Sequence, residues 1–281
     1  MSMHRRTVLT SLIGVGLAIS PLAAGAATPT GHRALPRSHV LVPRNLNAAL
    51  PRQDAAVASL NWSGYAVLPA AGQAITSVSA NFVVPAVSAL PAGFAAIWTG
   101  IGGYNTSDLI QAGVGTSTLP NSSLLGPRYY AWIETLPAGE QQIANCTGDR
   151  SCAVRPGDQI GVNIRQLRPG TWLISLSDRG RWSWTRPVGY ASTRSSAEWI
   201  LEAPTLVVQT TLANVGTVRF VGGNTFAVNG VSRKIAQGHP VSITLGAAPG
   251  LPGEALPSTL DRRGDGFDSC AYALRCPAPI G

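Results

Sequence analysis

Histidine, lysine and charge in general are scarce in this sequence of 281 residues. Only four histidines occur, and His239 is the one that lies beyond residue 58. Lys234 is the sole lysine, and charged residues make up 12% of the chain. A Ser-His-Asp or Cys-His arrangement needs an imidazole base, and His239 stands alone in the turn-like GHP, where a surface loop is expected. Histidine-rich metal sites fail for the same reason, and a single lysine offers no candidate of note. The glycine-rich GIGGYN at 100–105 lacks the glycine spacing and the strand-to-helix setting of a phosphate cradle.

Long apolar runs are confined to the start of the chain. MSMHRR is a positive n-region, VLTSLIGVGLAISPLAA an apolar stretch and AGAA a small-residue cleavage context, so residues 1–27 read as a signal peptide. Arg5-Arg6 followed by Thr-Val-Leu also fits a twin-arginine signal, which leaves the export route open between Sec and twin-arginine. No later stretch is long and apolar enough to span a bilayer. The expectation is a secreted protein with no stable membrane association after signal cleavage.

A net charge of +8 invites a nucleic-acid reading, but its distribution argues against one. Residues 1–58 hold six of the 21 basic residues and one of the 13 acids, Asp54; the remainder carries 15 against 12, a net of +3. That remainder shows no basic run interleaved with aromatics. Residues 28–58, rich in Arg, Pro, Leu and Ala without sustained periodicity, read either as a linker or as a basic propeptide that covers a site until it is cut away. Cysteines come as two pairs, Cys146/Cys152 and Cys270/Cys276, each with five residues between. In an exported chain an even count predicts disulfides, and four cysteines leave three connectivities open. Zinc is a weak competitor, since the spacing is not the two-to-four gap of zinc knuckles.

From Ser59 to residue 281 the sequence is a series of short alternating runs broken by Gly, Pro, Asn and Ser. ITSVSANFVV (75–84) puts Val78, Ala80, Phe82 and Val84 on one face, and QIGVNI (159–164) alternates Ile160, Val162 and Ile164. TWLISLSD (171–178) and RWSWTR (181–186) read as a hairpin about Arg179-Gly180. FAVNGVSRKIA (226–236) centres on Asn229-Gly230, a strong hairpin signal. Further strands are expected at NWSGYAV, FAAIWTG, DLIQAGV, YYAWIE, SAEWILE, GTVRFVG and VSITLG. No window gives a long amphipathic helix with caps. The fold class is therefore all-β, an antiparallel sandwich or barrel of one domain.

Carboxylates and amides remain as chemical candidates. Of the 12 acids beyond the linker, most lie in polar or glycine-rich loops, where a solvated charge is the default. Two sit within aromatic strand runs, Glu134 in YYAWIE and Glu198 in SAEWILE. Such a carboxylate is either on a solvated sheet face or lining a cleft.

Six stretches, in order, carry a resemblance to a known family. NWSGYAV (61–67) and VSANFVVP (78–85) look like its opening strands, and AIWTGIGG with DLIQAGV (96–103, 108–114) like the pair bearing its glutamine. YYAWIETLP (129–137) is similar to its aromatic-glutamate strand, SAEWILEAP (196–204) to the strand with its catalytic glutamate, and LANVGTVRFVG (212–222) to a strand near its end. The set resembles the glutamic peptidases (eqolisins), and in tone their bacterial branch. The resemblance implies a two-sheet β-sandwich of jelly-roll type, concanavalin-like, with Gln111 and Glu198 as a catalytic dyad on a concave face. Trp62 and Trp98 match tryptophans that line the substrate cleft, and Glu134 a glutamate close to the site. It implies a pepstatin-insensitive, acid-acting endopeptidase made as a zymogen, needing no metal or cofactor, acting on protein or peptide substrates as a monomer. Extra aspartates of fungal members align with Gly102, Gly115 and Tyr130, a departure that bears on the pH optimum.

Two rivals stay in view. A jelly-roll glycoside hydrolase would pair Glu134 with Glu198 across a groove. A non-catalytic binder of glycans or proteins would use Trp62, Trp98 and Trp182. The C-terminal GDGFDSCAYALRCPAPIG lies outside the resemblance; Arg262-Arg263 and irregular spacing favour a disulfide-closed tail over a calcium loop.

Overall fold

The computed structural model describes residues 56–118, 126–205, 209–246 and 254–280. The predicted signal peptide (1–27), and the basic segment (28–58) up to residue 55, lie outside the described residues.

Among the described residues strands follow one another with one short 3₁₀ turn, Ile235–Gly238. In chain order they begin β1 (Val57–Ser59), β2 (Trp62–Val67), β3 (Ile75–Val83), β4 (Phe94–Gly102), β5 (Leu109–Ser117) and β6 (Arg128–Thr135). Next come β7 (Gln141–Gln142), β8 (Thr147–Gly148), β9 (Gln159–Arg168), β10 (Thr171–Asp178), β11 (Trp182–Gly189) and β12 (Ala197–Glu202). The last are β13 (Thr217–Phe220), β14 (Thr225–Val228), β15 (Val231–Lys234), β16 (Val241–Leu245), β17 (Ala255–Pro257) and β18 (Phe267–Ala271).

Antiparallel pairing runs β6–β5–β4–β12–β2–β16 through a front layer. It runs β18–β13–β3–β9–β10–β11 through a back layer. The β14–β15 hairpin hangs on β3, and β1 adds the one parallel pair among the described strands, on β16. The expected all-β, two-layer antiparallel fold is what the chain forms.

Period-two alternation builds the core. Val78, Ala80 and Phe82 of β3, Ile160, Val162 and Ile164 of β9, and Trp172, Ile174 and Leu176 of β10 meet Ile97, Ile110, Ala112, Trp199 and Leu201 of the front layer in one buried cluster. Trp199 joins the layers: its ring edge meets Phe226 at 6.4 Å and its Nε1 donates to the Ser79 carbonyl at 2.8 Å. A tryptophan buries roughly 150–250 Å², about 4–6 kcal/mol at ~25 cal/mol per Å². The bonded indole N–H removes the penalty that a buried donor would otherwise carry.

Asn229 and Gly230 both have positive φ, 49° and 84°, as the tight hairpin between β14 and β15 requires. The β10–β11 connection is one residue longer than predicted, because Asp178 pairs with Trp182 and Arg181 joins the loop. Both disulfides are local, Cys146–Cys152 and Cys270–Cys276. The C-terminal segment is not merely a closed tail. Residues 267–271 form the fully buried β18, which pairs with β13 and with β17, while β17 also pairs with β16. Hydrogen bonding thereby continues from one layer into the other. Phe267 of β18 stacks on Phe220 at 4.5 Å and meets Tyr65 edge-on at 4.8 Å.

Candidate active site

The outer face of the front layer carries the candidate residues. On β12, Ala197, Trp199 and Leu201 join the inter-layer core, so Glu198, Ile200 and Glu202 face the other way. The same parity on β4, β5, β6 and β2 sends Trp98, Gln111, Trp132, Glu134 and Trp62 to that side.

Strand register aligns them. Glu198 lies opposite Gly100, Gly100 opposite Gln111, and Gln111 opposite Glu134, a single row across four strands. Neighbouring strands are about 4.8 Å apart, so the Cα atoms of Glu198 and Gln111 are separated by roughly 10 Å with only a glycine between. Gly100 is needed there: a Cβ would meet Leu109 Cδ1 at 2.9 Å, Ile110 O at 3.0 Å and Gln111 Cβ at 3.1 Å.

Each candidate is buried. Gln111, Glu198, Trp62 and Trp98 are each 0% exposed and Glu134 1%, so neither glutamate lies on a solvated face, one of the two settings the sequence allowed. Gln111 Nε2 donates to Glu134 Oε2 at 2.5 Å, which fixes the amide. Trp62 and Trp98 meet edge-to-face at 5.1 Å. Trp182 does not join them: it belongs to the inter-layer core and its Nε1 donates to the Ala153 carbonyl. The aromatic surface of the binding-protein rival is therefore not assembled from those three rings.

Burial pushes the Glu198 carboxyl well above the ordinary glutamate range, and the Asp108 carboxylate adds to the rise. Neither carboxylate oxygen of Glu198, nor Ser196 Oγ, reaches hydrogen-bonding geometry. The Ser196 hydroxyl, which favours the charged form, thus offsets the burial only in part.

Sequence reasoning passed over Glu202, and the signal was available, since even spacing along one strand from Glu198 dictates a shared face. Glu202 is 0% exposed, takes the indole N–H of Trp98 at 2.7 Å and faces Asn61 Nδ2 at 3.4 Å. It also lies opposite Trp62 on β2. Among the described residues no group of three or more His, Cys, Asp or Glu is placed to hold a metal ion.

Known structures share this architecture. Scytalido-glutamic peptidase, solved with a transition state analog inhibitor, matches with a TM-score of 0.59 at 16% identity, over 76% of this chain and 98% of that one. A second structure of it, with a peptide-based transition state analog, matches with a TM-score of 0.58 at 16% identity over the same shares. SCP-B, an eqolisin in complex with the tripeptide Ala-Ile-His, matches with a TM-score of 0.54 at 17% identity, over 76% of this chain and 98% of that one. No curated protein sequence matches the chain. The Peptidase A4 family profile spans residues 60–247, from the turn before β2 to just past β16. By that match the chain belongs to the Peptidase A4 family and is a peptide hydrolase.

Proposed function

We propose that the chain is a secreted glutamic endopeptidase in which Glu198 and Gln111 hydrolyse peptide bonds with a water held between them. The observation that carries this reading is the row Glu198–Gly100–Gln111–Glu134, which sets a buried carboxyl and a fixed amide on either side of a side-chain-free strand position.

In its ionised form Glu198 takes a proton from the water as the water oxygen attacks the scissile carbonyl carbon. Glu198 then returns that proton to the leaving nitrogen as the C–N bond breaks. Glu134 holds one N–H of the Gln111 amide. The other hydrogen of that NH₂ is the donor this mechanism assigns to the oxyanion. Trp62 and Trp98 wall the cleft for substrate side chains. Gln111 does not titrate, so the dyad lacks the like-charge coupling of paired aspartates, in line with insensitivity to pepstatin.

The raised Glu198 pKa has a direction. The base form is populated only as pH climbs past the folded value, so the acid limb of the rate profile lies above that of an ordinary glutamate. On this reading the rate is lost in strong acid, where Glu198 holds its proton. A paired-glutamate glycosidase fits less well, because Gln111 stands between Glu134 and Glu198 and bonds the former.

Export is supported by the leader and by two disulfides, and no helix among the described residues is long and apolar enough to cross a membrane. A monomeric zymogen whose basic segment is removed on maturation completes the reading.

The test is hydrolysis of a denatured protein from pH 2 to 7 with pepstatin present, wild type beside Glu198→Gln. The expected result is pepstatin-resistant cleavage that falls by about 10²–10⁴ in the variant. Full activity in Glu198→Gln would remove Glu198 from the mechanism. Release of sugar from a polysaccharide, without peptide cleavage, would favour the glycosidase.

A further inference from the structure

We propose that Asp108 is a positioning residue for the Gln111/Glu198 pair, clamping the loop that leads into β5 onto the segment that leads into β12. The inference rests on the dyad reading above and assigns Asp108 a role that acts through the two strands bearing the dyad.

The two dyad strands are not neighbours. β5 and β12 flank β4, so the offset between Gln111 and Glu198 is set by two separate ladders. Just ahead of each strand the chain is irregular, and there Asp108 makes its contacts. Its Oδ2 accepts from the Thr193 backbone N–H at 2.7 Å and from Ser192 Oγ at 3.2 Å, and its Oδ1 accepts from Thr193 Oγ1 at 2.9 Å. Thr106 Oγ1 and Ser195 Oγ lie 3.3 Å apart, a second tie between the same segments. Tyr190 closes a third: its hydroxyl accepts from the Leu109 N–H at 2.7 Å and donates to the Leu136 carbonyl at 2.8 Å. Asp108 is three residues from Gln111 and Thr193 five from Glu198, so the clamp sits at the end of both strands.

A glycine makes room for it. Gly102 has φ +86°, and a Cβ there would meet Asp108 O at 2.7 Å and Asp108 Oδ2 at 2.9 Å. Any side chain at 102 would thus press on Asp108, and the positive φ suits glycine there.

The carboxylate also acts at a distance on Glu198, disfavouring its charged form. Other acids on the same face are Glu134, reached through Gln111, and Glu202 on β12 itself; β2 and β16 offer Ala66 and Val241 in the Glu198 row, and His239, near the start of β16, is exposed. Among these Asp108 is the group whose charge acts on Glu198.

The two contributions separate by mutation. The full chain, incubated in acid so that any maturation is complete, is assayed on an internally quenched peptide that the wild type cleaves. Thr193→Ala removes the hydroxyl's bonds to Asp108, Thr106 and Ser195 but keeps the backbone N–H bond and the Asp108 charge; kcat should fall by roughly tenfold with KM little changed, since small misplacements of reacting groups are amplified in rate. The acid limb of the profile should stay where it is. Asp108→Asn removes the charge and weakens the clamp; kcat should fall further and the acid limb should move to lower pH. Asp108→Glu should restore the position of the limb before it restores kcat.

A purely structural Asp108 would lower thermal stability in these variants and leave both kcat of the folded fraction and the limb unmoved, which overturns the proposal. Should Asp108→Asn fail to fold, an unchanged kcat in Thr193→Ala overturns it as well. Loss of the clamp effect alongside an inactive Glu198→Gln counts against Asp108 alone. An active Glu198→Gln removes the dyad on which it rests.

Discussion

The outer faces of the two layers are built by one alternation and end in opposite chemistry. On β10 every second residue is buried, and Thr171, Leu173, Ser175 and Ser177 between them are half-buried. On β12 all six residues are buried. The back face forms an open trough of about 390 Å³ lined by small neutral side chains, among them Ser79, Asn81, Asn163, Ser175, Ser177 and Thr185. These groups bond one another in the presence of water: Asn163 Nδ2 donates to Ser79 Oγ at 2.7 Å and Thr185 Oγ1 to Ser175 Oγ at 3.1 Å. The front face instead withdraws Glu198, Glu202, Gln111 and three tryptophans from water altogether. Polar groups hidden on the second face of a sheet need a reason, because leaving a buried carboxyl unsatisfied costs about 1–3 kcal/mol or more. On the proposed dyad reading, chemistry is that reason.

A large loss of rate is expected from closing the gap in the front row. Gly100→Ala places a methyl within 3.1 Å of Leu109 Cδ1, Ile110 O and Gln111 Cβ. Two of these three atoms belong to β5 backbone or to the root of Gln111, so the amide must move. A displacement on the order of 1 Å costs about 10²-fold in rate, and overpacking destabilises by about 1–3 kcal/mol. Steady-state kinetics at a temperature well below unfolding distinguishes the two. Wild-type kcat/KM in Gly100→Ala would show that the row is not the reacting centre.

Glu198→Gln sharpens the contrast through stability. Burial raises the folded pKa of Glu198 above its unfolded value near 4.3. The folded state therefore holds its proton more tightly, and stability is greatest below the unfolded value. As pH rises between the two values, wild-type stability falls with a slope of about 1.4 kcal/mol per pH unit from this group. The amide cannot ionise, so Glu198→Gln should match wild type in strong acid and exceed it increasingly toward neutral pH. Urea titrations from pH 3 to 7 read this directly. A variant less stable than wild type at neutral pH would mean that Glu198 is held charged and paired.

The front-layer face was legible from the sequence in part. Alternation in ITSVSANFVV and QIGVNI identified core positions, since Val78, Phe82, Ile160 and Ile164 all reach the inter-layer cluster. Parity along SAEWILE sets Glu198 apart from Trp199, but whether its face is wet or dry depends on what covers the layer, and no local pattern encodes that. The row that joins Glu198, Gly100, Gln111 and Glu134 depends on cross-strand register between positions up to 98 residues apart, as for Glu198 and Gly100. Period-two reasoning gives the face and not the register. β18 escaped notice because FDSCA mixes polar and apolar residues that are all buried, Ser269 against Ser63 at 2.8 Å, so no alternation marks it. The role of Asp108 was hidden for the same reason as the row, its partners Ser192 and Thr193 being brought to it only by the fold.

The smallest effect belongs to the back face. Thr185 is exposed on β11, pairs with Ser175 on β10 and gives it one hydrogen bond at 3.1 Å. Thr185→Lys exchanges that bond for a solvated ammonium on a face that water already reaches. Exposed hydrogen bonds contribute little net, and surface substitutions away from special features stay within about 0.5 kcal/mol. The variant should therefore melt with wild type and cleave peptide with unchanged kcat and KM. The corresponding charge on the front face, for instance Ile200→Lys beside Trp98, would bury an ammonium among tryptophans and unfold the layer. Side-by-side thermal melts and peptide assays of Thr185→Lys decide whether the two faces differ as described. A loss of activity without a loss of stability would place the back trough in the path of the substrate, and the division of labour between the layers would fail.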